Sequence, residues 1–385
     1  MSSTTTPLRK GTPDFLLLFL TFLLVCFGLV MIFSASSMTS AYTNGDPWGF
    51  TQKQIISVIV GIVGMIICMN IPLNKLKHLV PVSFIGVIIL LFAVLMFGQV
   101  VNGARSWFMI AGFSLQPTEF AKLGIILYLS LLITNKDEKF RTFSRGLAPA
   151  LVIVAFITGL IYLQNDLGSA LILICCAGTV IFAGGAKLRH LVSVTLILSM
   201  LAGLFIGVTL ISNAGLDAKD RDHKAGRILA FLEPDKYQAE ESYQVTQSLY
   251  AFGHGGFTGT GYGQGVQKLH YIPEAHNDFI FATIGEEFGF LGSTLFLLTY
   301  LLFIWRGIIV SVRCKDKFGM LSGVGIMGMI GFQAFVNLGG VTQTIPLTGV
   351  TLPLISYGGT SMIVTLTAMG IVLGLSRNYN QIPTK

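Results

Sequence analysis

Four carboxylates, Glu274, Asp278, Glu286 and Glu287, fall within 14 consecutive positions of a chain that holds only 18 acidic residues. They lie in or beside an apolar run that enters a membrane, where an ionised group is costly unless it faces a cavity or a partner. A carboxylate so placed can take a proton from a hydroxyl or staple neighbouring helices together. Asp278 is the candidate for the first role. A helix over 278–305 would be about 42 Å long against a hydrocarbon core near 30 Å, so its first turns project to the interface. There a carboxylate meets both a lipid head group and water. Glu286 and Glu287, deeper in the run, read as structural glue.

The elements that must position these groups are membrane helices. The chain has 385 residues, 53% hydrophobic and 11% charged, with a mean hydropathy of +0.74. Soluble chains carry about 25% charged residues, so the composition fits an all-α integral membrane protein. Apolar runs occur at 15–33, 55–71, 79–101, 123–133, 147–163, 167–186, 191–211, 288–305, 318–341 and 362–375, which makes ten spans. The first is too long for a cleaved signal peptide. Two runs, 123–133 and 362–375, are too short to cross unless their polar lead-ins Gln116–Lys122 and Ser356–Ser361 also enter the membrane. Polar backbone at that depth lines a cavity.

Orientation follows from the basic residues. With the N-terminus in the cytoplasm, 16 of the 25 Lys and Arg fall in inner loops and tails, against Lys53 and Arg105 in short outer loops. Both termini are thus expected inside, with one large extracellular loop at 212–277 between helices 7 and 8. The net charge of +7 is spread over these loops and gives no reason to expect nucleic acid. The organisation is a cytoplasmic tail at 1–13, one polytopic domain at 14–376 and a second tail at 377–385. Within the outer loop, 226–252 holds two short amphipathic stretches expected on the membrane surface. Seven glycines follow between 253 and 265, a permissive stretch that can wrap tightly or move as a lid. The five cysteines are odd in number and mostly within apolar runs, so they read as core residues.

In this topology the even-numbered spans begin outside. Glu119 opens the fourth, Asp166 the sixth, Asp278 the eighth, and Ser356-Tyr357-Gly358-Gly359 the tenth. Helix N-termini carry unpaired N–H groups and partial positive charge. Several on one side could hold a diphosphate, with Arg105 and Lys122 adding full charges. Simpler roles exist for each: Glu119 as a first-turn cap neutralised by Lys122, Asp166 as an N-cap, and Gly358 and Gly359 as packing glycines. His270 and His276 are too scattered for a zinc site.

The motifs together resemble the SEDS family (shape, elongation, division, sporulation). They are Pro273-Glu274-Ala275-His276-Asn277-Asp278-Phe279-Ile280-Phe281-Ala282 with Ile284-Gly285-Glu286-Glu287, Asn102–Trp107, Gln116–Lys122, Asp166-Leu167-Gly168 and Thr348–Gly359. Within the family they look most like the division branch. Asn277 departs from the commoner Thr, and Gly339–Thr344 is an unusual variant of its loop. The resemblance implies a ten-span peptidoglycan glycosyltransferase that polymerises lipid II at the outer face of the bacterial plasma membrane, at the septum. It implies a class B penicillin-binding protein and other division proteins as partners, and dependence on a divalent cation, Mg2+ or Mn2+, with ligands unassigned. By position, Asp278 matches the essential acid, and Arg105, Glu119, Lys122 and Asp166 match residues lining a polar cavity. Glu274, Ser356, Gly358 and Gly359 complete the expected substrate-binding set. Competing readings are a lipid II flippase, which should need polar groups through the full membrane depth, and a non-catalytic division scaffold.

Overall fold

Each of the ten apolar runs overlaps a helix, and several of those helices extend well past the run at one or both ends. The computed structural model describes residues 11–101, 103–110, 113–213, 231 and 241–379. In chain order the helices are α1 (Phe15–Asn44), α2 (Gly49–Asn70), α3 (Leu73–Phe97), α4 (Pro117–Lys136), α5 (Ala148–Tyr162), α6 (Leu167–Ala183), α7 (Leu188–Asn213), α8 (Glu241–Gly255), α9 (Ile280–Val312), α10 (Lys317–Val341) and α11 (Gly359–Tyr379). Among the described residues, eight helices are long and apolar enough to cross a membrane, and α6 and the start of α7 are shorter apolar pieces. Most of the first lead-in and the second half of the second join their helices: α4 begins at Pro117 and α11 at Gly359, with Ser356–Gly358 left outside.

The most buried spans are α4, α10 and α11, while α2 and α3 turn most of their surface outward. Close approach of α2 to α11 depends on small residues. A Cβ at Gly61 would lie 2.7 Å from Leu366, and one at Gly370 would overlap the backbone of Met65. Small residues bring membrane helices together in this way because apolar lipid offers little hydrophobic drive for helix association.

Both described ends of the chain meet at one end of the bundle. Asp14 caps α1 by accepting from Leu17 N–H at 3.0 Å. Its own N–H donates to Ser376 Oγ at 2.9 Å, and its carboxylate takes two hydrogen bonds from Arg306. Gly11 N–H donates to the Arg377 carbonyl.

The all-α expectation needs one correction. Three short strands, β1 (Gln99–Val101), β2 (Ala104–Ile110) and β3 (Phe113–Leu115), form an antiparallel sheet, paired in that order. Val101 pairs with Ala104 across a two-residue turn, and Gly103 has φ +78. The sequence Val101-Asn102-Gly103-Ala104 is the Asn-Gly hairpin signal. Its apolar neighbours disguise it as the tail of a span.

A second correction concerns the span after Asp278, expected as a straight helix over 278–305. Helix α9 starts at Ile280 and breaks at Gly289, where φ is 62 and ψ −163. The glycine-rich segment supplies what the break removes. Thr260 and Gly261 donate to the carbonyls of Glu286 and Glu287 at 3.0 Å, and Phe290 and Leu291 donate to those of Gly256 and Phe257. Broken backbone at membrane depth is tolerable only when its freed groups are paired in this way. The seven-glycine stretch therefore wraps the break.

Helix α8 contains the second amphipathic stretch. It packs against α9 and α10 with Ala251 fully buried, and Ser248 Oγ donates to the Val341 carbonyl at 2.7 Å. The first stretch, over 227–232, lies almost entirely outside the described residues.

Candidate active site

At the end of the bundle opposite the chain termini, the starts of α4, α6, α9 and α11 converge on one open cleft of about 310 Å³. Its wall is built from β2 and β3, Gln116 before α4, Asp166 before α6, the turn carrying Glu274, Asn277 and Asp278, the 348–351 loop, and Gly358, Thr360 and Ser361. The size suits a small-molecule site.

Local hydrogen bonds hold this wall in register. Asn337, almost fully buried on α10, donates from Nδ2 to the carbonyls of Asp278 and Val350, each at 2.7 Å. That ties the acid's backbone to the 348–351 loop. A Cβ on Gly349, whose φ is +71, would stand 3.5 Å from Asp278 Oδ2, so the loop crosses close beside the carboxylate. A Cβ on Gly168 would lie 2.8 Å from the Thr348 carbonyl, which shows how tightly α6 seats on the same loop. Thr360 Oγ1 bridges α11 to β3 and α4, donating to the Ser114 carbonyl at 2.8 Å and accepting from Gln116 N–H at 3.1 Å.

Of the expected residues, Asp278, Glu274, Asp166 and Gly358 line the cleft. Asp278 is half-buried, in a turn two residues before α9. Asp166 caps α6 through Oδ1, accepting from Ser169 N–H at 3.0 Å, while Oδ2 accepts from Gln116 Nε2 at 3.1 Å. Glu274 accepts a short hydrogen bond from Asn277 Nδ2. Burial pushes its carboxyl above the ordinary range, and the Asn277 hydrogen bond offsets only part of that rise.

The other expected residues lie elsewhere. Lys122 and Glu119 form a buried ion pair at 2.8 Å, one turn apart on α4, and neither lines the cleft. Arg105 is exposed, with Nη1 3.4 Å from the Leu95 carbonyl, and also lies off the lining. Its strand neighbours Ala104 and Ser106 do line it, as side-chain alternation along a strand allows. Ser356 is buried, and its Oγ accepts from Leu352 N–H at 2.9 Å. Gly359 packs on α2, where a Cβ would meet Ser57 Oγ at 3.0 Å. The described lining therefore has three carboxylates and no Lys or Arg. Gln116 and Tyr357, in lead-ins expected to line a cavity, do line it, whereas sequence reasoning missed Ser106 and Asn277 as lining residues. Each sits inside a quoted motif, but nothing in its type marked it out.

Glu286 and Glu287 play the structural part expected of them. Glu286 is fully buried, and Oε1 pairs with His254 Nδ1 at 2.8 Å and accepts from Val266 N–H at 2.8 Å. Glu287 accepts from Lys268 Nζ and from Ser34 Oγ of α1. His276 is buried beside Phe50 and Tyr357, and burial pushes its pKa down to about 4.

A polytopic helical membrane protein with a polar, acid-bearing cleft at one end is the class that fold and site define. The chain belongs to the FtsW/RodA/SpoVE family of cell cycle proteins, whose pattern matches residues 14–381. It is 38% identical over 373 residues to stage V sporulation protein E of Bacillus subtilis, covering 96% of this chain and 98% of that one. It is 37% identical over 373 residues to a probable peptidoglycan glycosyltransferase FtsW of Geobacter metallireducens, covering 96% of each. Its fold is similar to the solved rod shape determining protein RodA of Thermus thermophilus, with a TM-score of 0.68, 30% identity, and coverage of 96% and 98%. A chain from a structure described as a peptidoglycan synthase complex coordinating polymerization and crosslinking aligns with a TM-score of 0.73 and 28% identity, covering 95% and 98%.

Proposed function

We propose that this protein is a peptidoglycan glycosyltransferase that polymerises lipid II, with Asp278 as general base. The activity rests on full-length likeness to relatives bearing that name. The role of Asp278 rests on its position on the wall of a cleft where four helix starts meet. Asp278 takes the proton from the 4-hydroxyl of the acceptor N-acetylglucosamine as that oxygen attacks the anomeric carbon of the donor muramic sugar. The donor's bond to undecaprenyl diphosphate breaks, and direct displacement turns an α-linked donor into a β-1,4 product. No carboxylate nucleophile is required.

With no described Lys or Arg on the lining, the leaving diphosphate faces the N–H groups at the starts of α6 and α11. Among the described residues, no three His, Cys, Asp or Glu side chains gather into a cation cage. Asp166, on the same lining, nevertheless fits a divalent ion shared with a diphosphate, which needs only one or two protein carboxylates. When bound, such an ion neutralises charge on the departing oxygens.

The membrane arrangement belongs to the same reading. Ten spans, both termini in the cytoplasm, the 212–277 loop outside and the cleft at the outer face agree with the meeting of Gly11 and Arg377 at the end opposite the cleft. In this reading 1–13 and 377–385 are cytoplasmic tails around a single membrane domain. The protein works beside a class B penicillin-binding protein at the division septum. The Glu119–Lys122 pair beneath the cleft is closed on itself, which favours an outward-facing enzyme over a flippase.

The test is Asp278→Asn, purified with its partner and assayed on lipid II. The variant should melt like wild type and form no glycan. Polymer at the wild-type rate would overturn the assignment.

A further inference from the structure

Two polar atoms of residues on the cleft wall have no hydrogen-bond partner in the protein, Ser106 Oγ and Asn277 Oδ1. Ser106 sits on β2 and is 1% exposed, while Asn277 comes from the turn just before Asp278. The two orphans therefore arise on separate elements that meet at one cavity. Buried polar atoms are nearly always paired, because leaving one unpaired forfeits its hydration with nothing in return. Two such atoms beside an open cleft point to a ligand that satisfies them.

Their chemistry narrows that ligand. Asn277 commits its Nδ2 to the Glu274 carboxylate, which leaves Oδ1, an acceptor only. The Ser106 hydroxyl can donate. The complement of one acceptor and one donor is a group that both donates and accepts, and on the acceptor sugar a secondary amide offers this through its N–H and C=O. We propose that Ser106 and Asn277 form a subsite for the acetamido group of the acceptor sugar. The amide N–H donates to Asn277 Oδ1, and the amide carbonyl accepts from Ser106. This rests on the polymerase reading, in which the acceptor is N-acetylglucosamine. Because Asn277 adjoins Asp278, a sugar held by its acetamido group is anchored beside the residue that takes its hydroxyl proton. The subsite thus sets both affinity and register.

The experiment compares lipid II with an analogue whose N-acetylglucosamine acetamido group is replaced by hydrogen, which can neither donate nor accept. The full-length protein is assayed as wild type, Ser106→Ala and Asn277→Leu. Wild type should lose about 100-fold in kcat/KM on the analogue, about tenfold for each hydrogen bond forfeited at a site built for it. Each variant should lose about tenfold on lipid II, mostly through KM, and lose less than about threefold on the analogue, which already lacks the interaction. Equal losses on both substrates would mark the two side chains as structural and overturn the proposal. So would wild type using the analogue as well as lipid II, a comparison that needs no variant to fold. Absence of polymer from wild type on lipid II itself would instead defeat the polymerase reading.

Discussion

Lys268 and Glu287 make an ion pair almost wholly shielded from solvent, with side chains 5% and 0% exposed. It ties the segment after the glycine stretch to α9, and Ser34 brings in α1. Glu287 Oε2 already lacks a partner, so the carboxylate depends on what Oε1 receives. Lys268→Met leaves that carboxylate with a single hydroxyl donor, and Glu287→Gln leaves the ammonium without its counter-ion. Breaking one side of a buried pair typically costs about 3–5 kcal/mol, whereas replacing both sides by neutral groups is often close to neutral. The Lys268→Met/Glu287→Gln double variant should therefore lie within about 2 kcal/mol of wild type, with each single variant well below it. In thermal unfolding of detergent-purified protein, the singles should melt roughly 5–10 °C lower and the double should recover most of that. A double variant no more stable than the weaker single, or singles within about 1 °C of wild type, would refute the desolvated-pair reasoning.

Gly259 has φ +84, and a Cβ there would overlap the Glu287 carbonyl, whereas Gly263 has φ +79 and open space around it. Gly263→Ala should cost about 1–2 kcal/mol of left-handed strain and Gly259→Ala clearly more, read as melting temperatures; equal losses would mean the wrap around the α9 break is loose. His276 is neutral in the fold down to about pH 4, while the unfolded chain protonates near 6.5. Its contribution is thus full above pH 6.5 and is lost as pH falls toward 4, by up to about 3 kcal/mol. His276→Gln should flatten the stability profile over that window, and parallel profiles would rule this out. Removing divalent ions with a chelator should stop lipid II polymerisation and added Mg2+ or Mn2+ should restore it, so full activity in chelator would exclude the shared-ion site.

Sequence revealed the spans because apolar runs report directly on lipid exposure, and the short runs even located where polar lead-ins enter the bundle. Residues 117–122 and 359–361 are helical as that length argument requires. It also placed Asp278, Asp166 and Glu274 near one another, since Asp166 and Asp278 stand just before helices that begin at the same end of the bundle and Glu274 lies in the turn that leads into Asp278. Three features were hidden for physical reasons. The β1–β2 turn was masked by hydrophobic neighbours whose composition suits lipid and strand alike. The break at Gly289 is stabilised by backbone pairing with residues of the glycine-rich segment, Gly256, Phe257, Thr260 and Gly261, which no local pattern encodes. The pairing of Lys122 with Glu119, away from the cleft, is a choice of rotamer within one helical turn. The sequence offered both a salt bridge and a ligand there and favoured the ligand, because both residues lie in a span otherwise too short to cross.

The clasp between the two ends of the chain bears on how the protein is made. Helix α1 is made before the other described helices, yet its opening turn is completed by Ser376, near the end of α11. Helix α2 likewise waits for α11, against which its glycines fit. These two spans must therefore remain in the bilayer with their mating surfaces against lipid until α11 has been made. A chain stalled before residue 359 would present those surfaces to whatever quality-control protease patrols the membrane.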